Sequence, residues 1–246
     1  MTSTTTLVII IISLVICGLV FYKNKTIDKP SKSAVIKLEI KYNIEAARFF
    51  VKHLEELGYF KYADKKDVDS LKNNMIKEYD PTNELVSLWE ENSSTPKNYR
   101  YYFCDNETLF EEGGLIDMLK DIQPTFDKIG LTFKVTDHYE VWNNTNKWLN
   151  HTITINEKKY TVFKNFSEMG WSEAAQRLAE ILNEELVKQH KEERVFLVNG
   201  GNDGRIIFLT EEQFLYINSI YKNKQWKPLR VKEWCLEMQS PYMQVD

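Results

Sequence analysis

Three cysteines, four histidines and nine glycines in 246 residues leave several protein classes without their raw material. No Cys-x-x-Cys pair occurs, so zinc-ribbon and thiol-redox chemistry lack their ligands. With Cys17 inside an apolar run, only Cys104 and Cys235 remain, and one pair cannot define a disulfide framework. Gly-x-Ser-x-Gly, the phosphate loop, the kinase signatures and the dinucleotide-binding fingerprint are all absent, and the common enzyme classes lose support with them. His53, His138, His151 and His190 stand in no spacing that brings two onto one helical face. The chain is therefore expected to use no cofactor and no metal, and to be non-catalytic rather than an enzyme.

Basic residues are also missing ahead of the most conspicuous feature, Leu7–Tyr22, which reads LVIIIISLVICGLVFY. As a helix this run spans about 24 Å, short of a hydrocarbon core of ~30 Å, and the uncharged residues 2–6 extend it. A single-pass transmembrane anchor over 1–22 is the expected reading, followed by a basic linker over 23–33. A cleaved signal peptide competes with it but wants a basic segment in front. Leu14, Val15, Ile16 and Cys17 loosely resemble a bacterial lipoprotein box, although Ile16 stands where a small residue is needed.

Lys23, Lys25, Lys29 and Lys32 follow the run, and their position puts the C-terminal body on the cytoplasmic side. Six Asn-x-Ser/Thr triplets, at Asn24, Asn92, Asn106, Asn143, Asn150 and Asn165, would argue for the opposite side in a glycosylating host. Residues 1–33 hold four Lys and one Asp, leaving the body 28 basic and 35 acidic side chains, a net charge of −7 with His neutral. Such a body excludes nucleic acid as an expected partner and is repelled by an anionic leaflet.

The fold class expected is α+β with a largely antiparallel sheet and several amphipathic helices. Alternation over Val35–Tyr42 predicts a strand, with Asn43 capping a helix over Ile44–Leu57. Further helices are expected at Lys65–Tyr79 and Glu84–Glu91. Asn92–Asn98 then divides an N-terminal subdomain, 34–91, from a C-terminal one, 99–246, unless 34–246 is one domain. Tyr99–Cys104 and Leu131–Glu140 read as strands, and Gly114–Ile129 as a helix broken at Pro124. His151–Ile155 with Tyr160–Lys164, and Arg194–Asn199 with Arg205–Leu209, read as two hairpins. Ser172 is expected to cap a helix to about His190, and Thr210 with Gln213 to form a capping box. Tyr221–Asp246 shows no clear period.

Among candidate sites the sharpest is Asn199, Gly200, Gly201, Asn202, Asp203, Gly204 and Arg205. Its glycines can turn backbone N–H groups toward an anion with Arg205 as counter-charge. It leads from strand to strand rather than strand to helix, which fits a plain hairpin turn. Trp171 and Trp226 are partner-binding candidates, since tryptophan concentrates binding energy at interfaces. Cys104 with His138 or His151 would make a nucleophile and base, and Asp117 with Asp121 shares one helical face. The bland readings are a core cysteine and a solvated charge face.

A membrane-anchored protein that captures a protein partner at the cytoplasmic face, as an adaptor or inhibitor, accounts for the anchor, the acidic body and the missing chemistry together. The alternatives are a tethered hydrolase or transferase with a dispersed site and an extracytoplasmic ligand-binding domain or lipoprotein. A place where two of Cys104, His138, His151, Asp117 and Asp121 meet within hydrogen-bond reach would favour the enzyme.

Overall fold

The computed structural model describes residues 32–89, 93–143, 145, 148–168 and 170–243, with the backbone alone over 32–42. The apolar run 7–22 lies outside the described residues. Among the described residues no helix is long and apolar enough to cross a membrane. In chain order the elements are α1 (Lys32–Glu56), α2 (Val68–Lys77), β1 (Tyr101–Phe103), α3 (Asn106–Phe110), α4 (Gly114–Asp121), α5 (Gln123–Ile129), β2 (Val135–Asn143), β3 (Trp148–Ile155), β4 (Lys158–Phe166), α6 (Trp171–Lys188), β5 (Arg194–Val198), β6 (Arg205–Leu209), α7 (Glu211–Ile220) and α8 (Val231–Glu237). The chain is α+β, and every strand pairing among the described residues is antiparallel.

Residues Ile44–Asp246 form one compact unit, organised by two apolar runs, Val195–Val198 and Ile206–Leu209. Neither run alternates with polar residues, and such a strand is stable only with both faces covered. The sheet β1-β6-β5 meets that demand. Tyr102, Val195, Leu197, Ile206 and Phe208 face one core, shared with α4, α5, α6 and the inner side of a second sheet. Tyr101, Phe196, Val198, Ile207 and Leu209 face another, filled by Phe50, Leu54, Leu71, Phe214 and Tyr221. Residues from both 34–91 and 99–246 thus contribute to this second core.

The second sheet, ordered β2-β3-β4, carries the candidate site. Strand β3 alternates half-buried and buried residues along its whole length, with Leu149, His151, Ile153 and Ile155 inward. Asn156 and Glu157 both take positive φ, 48° and 70°, and close a two-residue β3–β4 turn of the primed type that matches strand twist. Strand β2 lies at the sheet edge with exposed residues along most of its length.

Several expectations are corrected. Val35–Tyr42 is helical, continuous with the rest of α1 rather than a strand ahead of an Asn43 cap. Its Lys, Leu and Glu are good helix formers, and eight residues of alternation are too few to outweigh them. Glu84–Trp89 is not helical: Trp89 bridges Pro96, and Leu88 O accepts from Lys97 N at 2.8 Å. Helix α6 begins one residue before Ser172, with Gly170 at the cap position and no side-chain cap. The segment after Tyr221 contains α8, which seats the fully buried Trp234. Helix α3 follows Asp105, whose carboxylate accepts from Glu107 N and Thr108 N. The break near Pro124 falls at Ile122, between α4 and α5, and the Thr210–Gln213 capping box starts α7.

Candidate functional site

Residues two apart on a strand share a face, so His138 and Glu140 of β2 point the same way. The β2–β3 register sets Glu140 directly opposite His151 and His138 opposite Ile153. The three side chains meet on the inner side of the sheet edge. His138 Nε2 lies 3.0 Å from His151 Nε2 and 3.6 Å from Glu140 Oε2, and His151 Nδ1 lies 3.9 Å from Glu140 Oε1. One donor atom from each residue falls within 4.8 Å of the other two.

The three differ in their access to water. The side chains of Glu140 and His151 are 5% and 4% exposed, whereas His138 is 29% exposed and forms the rim. Burial, reinforced by the neighbouring His138, pulls His151 down from 6.5 to about 4, so its imidazole is neutral at pH 7. Glu140 Oε2 accepts a hydrogen bond from Gly113 N at 3.0 Å. Gly113 holds φ +81° at the start of α4, a conformation that aims this N–H at the carboxylate and that glycine adopts without strain. No Lys or Arg among the described residues pairs with Glu140.

Aromatic rings close the inner side. Phe163 of β4 stands opposite His151, and Phe110 meets Phe163 and Trp142 edge-on at 5.4 and 5.3 Å between centroids. Gly170 permits this packing, because a Cβ there would lie 2.6 Å from the Phe110 ring and 2.7 Å from that of Phe166.

The Asn199–Arg205 segment lies in the β5–β6 connection, with a 3-10 turn over Gly201–Asp203. Trp234 Nε1 donates to Asn199 O, and Asn202 Nδ2 donates to Glu107 Oε2 at 3.3 Å. Arg205 spends its guanidinium on Glu84 at 3.1 Å and on the carbonyls of Asp203 and Gly204 at 2.8 and 3.0 Å, above the Phe103 ring. Gly200 packs against Met238 and Trp234, and Gly204 against Cys104 O and Asn106. The segment is thus a knot of close backbone contacts. Trp171 is half-buried at the start of α6, and Trp226 is half-buried against the second core.

Cys104 is buried, and desolvation pushes its thiol up to about 12. Asp117 is exposed and paired with Lys120 at 2.8 Å, on the solvated face expected of it, and Asp121 is exposed as well. His53 packs its ring against Tyr216, and His190 takes positive φ just beyond α6. A search for pairs on one helical face misses His138, Glu140 and His151, because the signal has period two: His-x-Glu on one strand and His on the next. No protein-family model, no curated protein and no solved structure matches this chain.

Proposed function

We propose that the chain is a single-pass membrane-tethered protein, held by residues 7–22, whose acidic body binds a protein partner at the cytoplasmic membrane face in an adaptor or inhibitor role. The observation that carries the binding reading is the open edge of β2. This nine-residue strand has β3 on one side and no described strand on the other. Val135, Tyr139, Val141 and Trp142 are 38%, 51%, 43% and 38% exposed along it. An unpaired edge of this length offers a row of N–H and C=O groups to an extended segment, with alternate side chains supplying specificity. The net charge of −7 over 34–246 favours a basic partner. Support for the tether and its sidedness comes from the apolar run and the four lysines after it.

A photoreactive residue placed at Tyr139 in native membranes tests the docking edge, with the same residue at exposed Leu215 of α7 as control. The reading requires a discrete adduct from Tyr139 and none from Leu215; equal labelling, or none, removes it. A reporter fused after residue 246 that reads out on the outer side would overturn the orientation.

One observation favours a second reading, a tethered hydrolase: His138 and His151, two of the dispersed candidates, meet at 3.0 Å beside a buried carboxylate.

A further inference from the structure

We propose that His138, Glu140 and His151 bind one divalent transition-metal ion of the zinc class, leaving a coordination position open to water. The donor set is the first argument. Two imidazoles and one carboxylate suit zinc, cobalt or nickel, whereas calcium and magnesium take oxygen ligands.

Geometry is the second argument. Ligands about 2.0–2.1 Å from a tetrahedral ion stand roughly 3.3–3.4 Å apart. The separations from His138 Nε2, 3.0 Å to His151 Nε2 and 3.6 Å to Glu140 Oε2, bracket that value. All three donor atoms lie within 4.8 Å of one another, so binding draws the side chains inward to the tetrahedral spacing. Sheet register fixes two of the residues opposite one another, and the Gly113 N–H orients the carboxylate from behind, as second partners of metal ligands do.

Charge is the third. The competing structure is a plain hydrogen bond between the two imidazoles, which uses one N–H and one lone pair. It leaves Glu140, 5% exposed, facing one backbone N–H and two histidines, which balance it only when protonated, with no Lys or Arg among the described residues paired to it. A buried carboxylate without a cation is costly, and a divalent ion supplies the missing charge at that point. The exposed flank of His138 is where the ion meets solvent, so the fourth ligand is water or a group from outside. Three protein ligands with an open position are the pattern of exchangeable or catalytic sites rather than closed structural ones.

The proposal stands apart from partner docking, although an ion bridging β2 and β3 would also stiffen the edge on which docking relies. Its test is a metal titration on the full chain in detergent, with no affinity tag. Chelator-treated protein is titrated with Co²⁺, read by its visible absorption, and then displaced by Zn²⁺, with stoichiometry taken by equilibrium dialysis. One equivalent of tetrahedral Co²⁺ displaced by Zn²⁺ is the expected result. His138→Gln, at the exposed rim and so tolerant of substitution, should weaken Zn²⁺ binding at least about tenfold while its thermal transition without metal stays at the wild-type value. Glu140→Gln should weaken Zn²⁺ binding by a similar factor. Octahedral Co²⁺ spectra, no binding at micromolar metal, or full affinity in His138→Gln would each overturn the assignment. Loss of crosslinking at Tyr139 with metal binding intact would remove the docking reading alone.

Discussion

The guanidinium of Arg100 donates through Nε to the main-chain carbonyl of Tyr59 at 2.7 Å, although the two residues lie 41 apart in sequence. Its Nη1 reaches Phe208 O at 2.8 Å and its Nη2 reaches Gly58 O at 3.4 Å, so one fully buried cation closes the end of α1 onto β6. The Tyr62 ring lies beneath it at 4.4 Å. Arg100→Met strands the Tyr59 and Phe208 carbonyls, while Gly58 O keeps its bond from Lys61 N, and is expected to cost roughly 3 kcal/mol. Arg100→Lys should recover little, because an ammonium cannot reach carbonyls arranged for a planar fork. Urea unfolding of the full chain in detergent, followed by tryptophan fluorescence, measures both. A loss below about 1 kcal/mol would mean that water serves these carbonyls equally well.

Two glycines in the β5–β6 connection should respond differently to alanine. At Gly201, φ is +60° and a Cβ meets nothing within 4 Å, so the strain is conformational alone, on the order of 1–2 kcal/mol. At Gly204 the backbone is ordinary, but a Cβ would stand 2.4 Å from Cys104 O and 2.6 Å from Asn106 Oδ1, forcing β1 and β6 apart for roughly 2–3 kcal/mol. Asparagine, which tolerates left-handed backbone, should rescue position 201 and worsen position 204. Thermal melts of the four variants decide it, and equal effects at the two positions would show that the close approach is not what selects glycine at 204.

Much of the body was legible because its signals are local. The runs Val195–Val198 and Ile206–Leu209, the Thr210–Gln213 box and the period of α6 need no knowledge of their neighbours. The candidate site was not legible for the opposite reason. Its three residues all lie in the expected strands Leu131–Glu140 and His151–Ile155, but nothing local in either strand says that the two pair with Glu140 opposite His151. The edge position of β2 and the cavity-like closeness of Phe110 to Gly170 are likewise decided by pairing and packing. Helix α8 escaped notice because seven residues hold too few turns to show a period.

Glu193 is 2% exposed, yet its carboxyl is held below the usual range. Burial pushes it upward, but hydrogen bonds from Tyr62 Oη at 2.5 Å and Lys61 Nζ at 2.9 Å outweigh burial. A carboxyl lowered in the folded state adds stability that is whole above the unfolded value, about 4.3, and is lost as pH falls through the folded one. Glu193→Gln should therefore be less stable than wild type near pH 6, and the gap should shrink steadily below about pH 4. Urea midpoints across that range test the sign. A gap constant with pH would show that Glu193 contributes through shape and hydrogen bonding, not through its charge.

Cys104 and Cys235 are both buried, and desolvation raises their thiols to about 12 and about 11, so neither presents thiolate near neutral pH. Alkylation therefore reports opening of the fold around each. Cys235 sits on seven-residue α8, held by Trp234 and a 3.5 Å contact to Gln176 Oε1. Cys104 donates its backbone N–H to Gly204 O beside the central sheet, where opening requires the sheet to part. In a Cys17→Ser background, iodoacetamide labelling at about pH 8 should modify Cys235 first through local release of α8, and Cys104 only at the rate of global unfolding. Peptide mass spectrometry over time separates the two. Labelling of Cys104 ahead of Cys235 would locate the weakest part of the fold at β1 and overturn the ordering drawn from their packing.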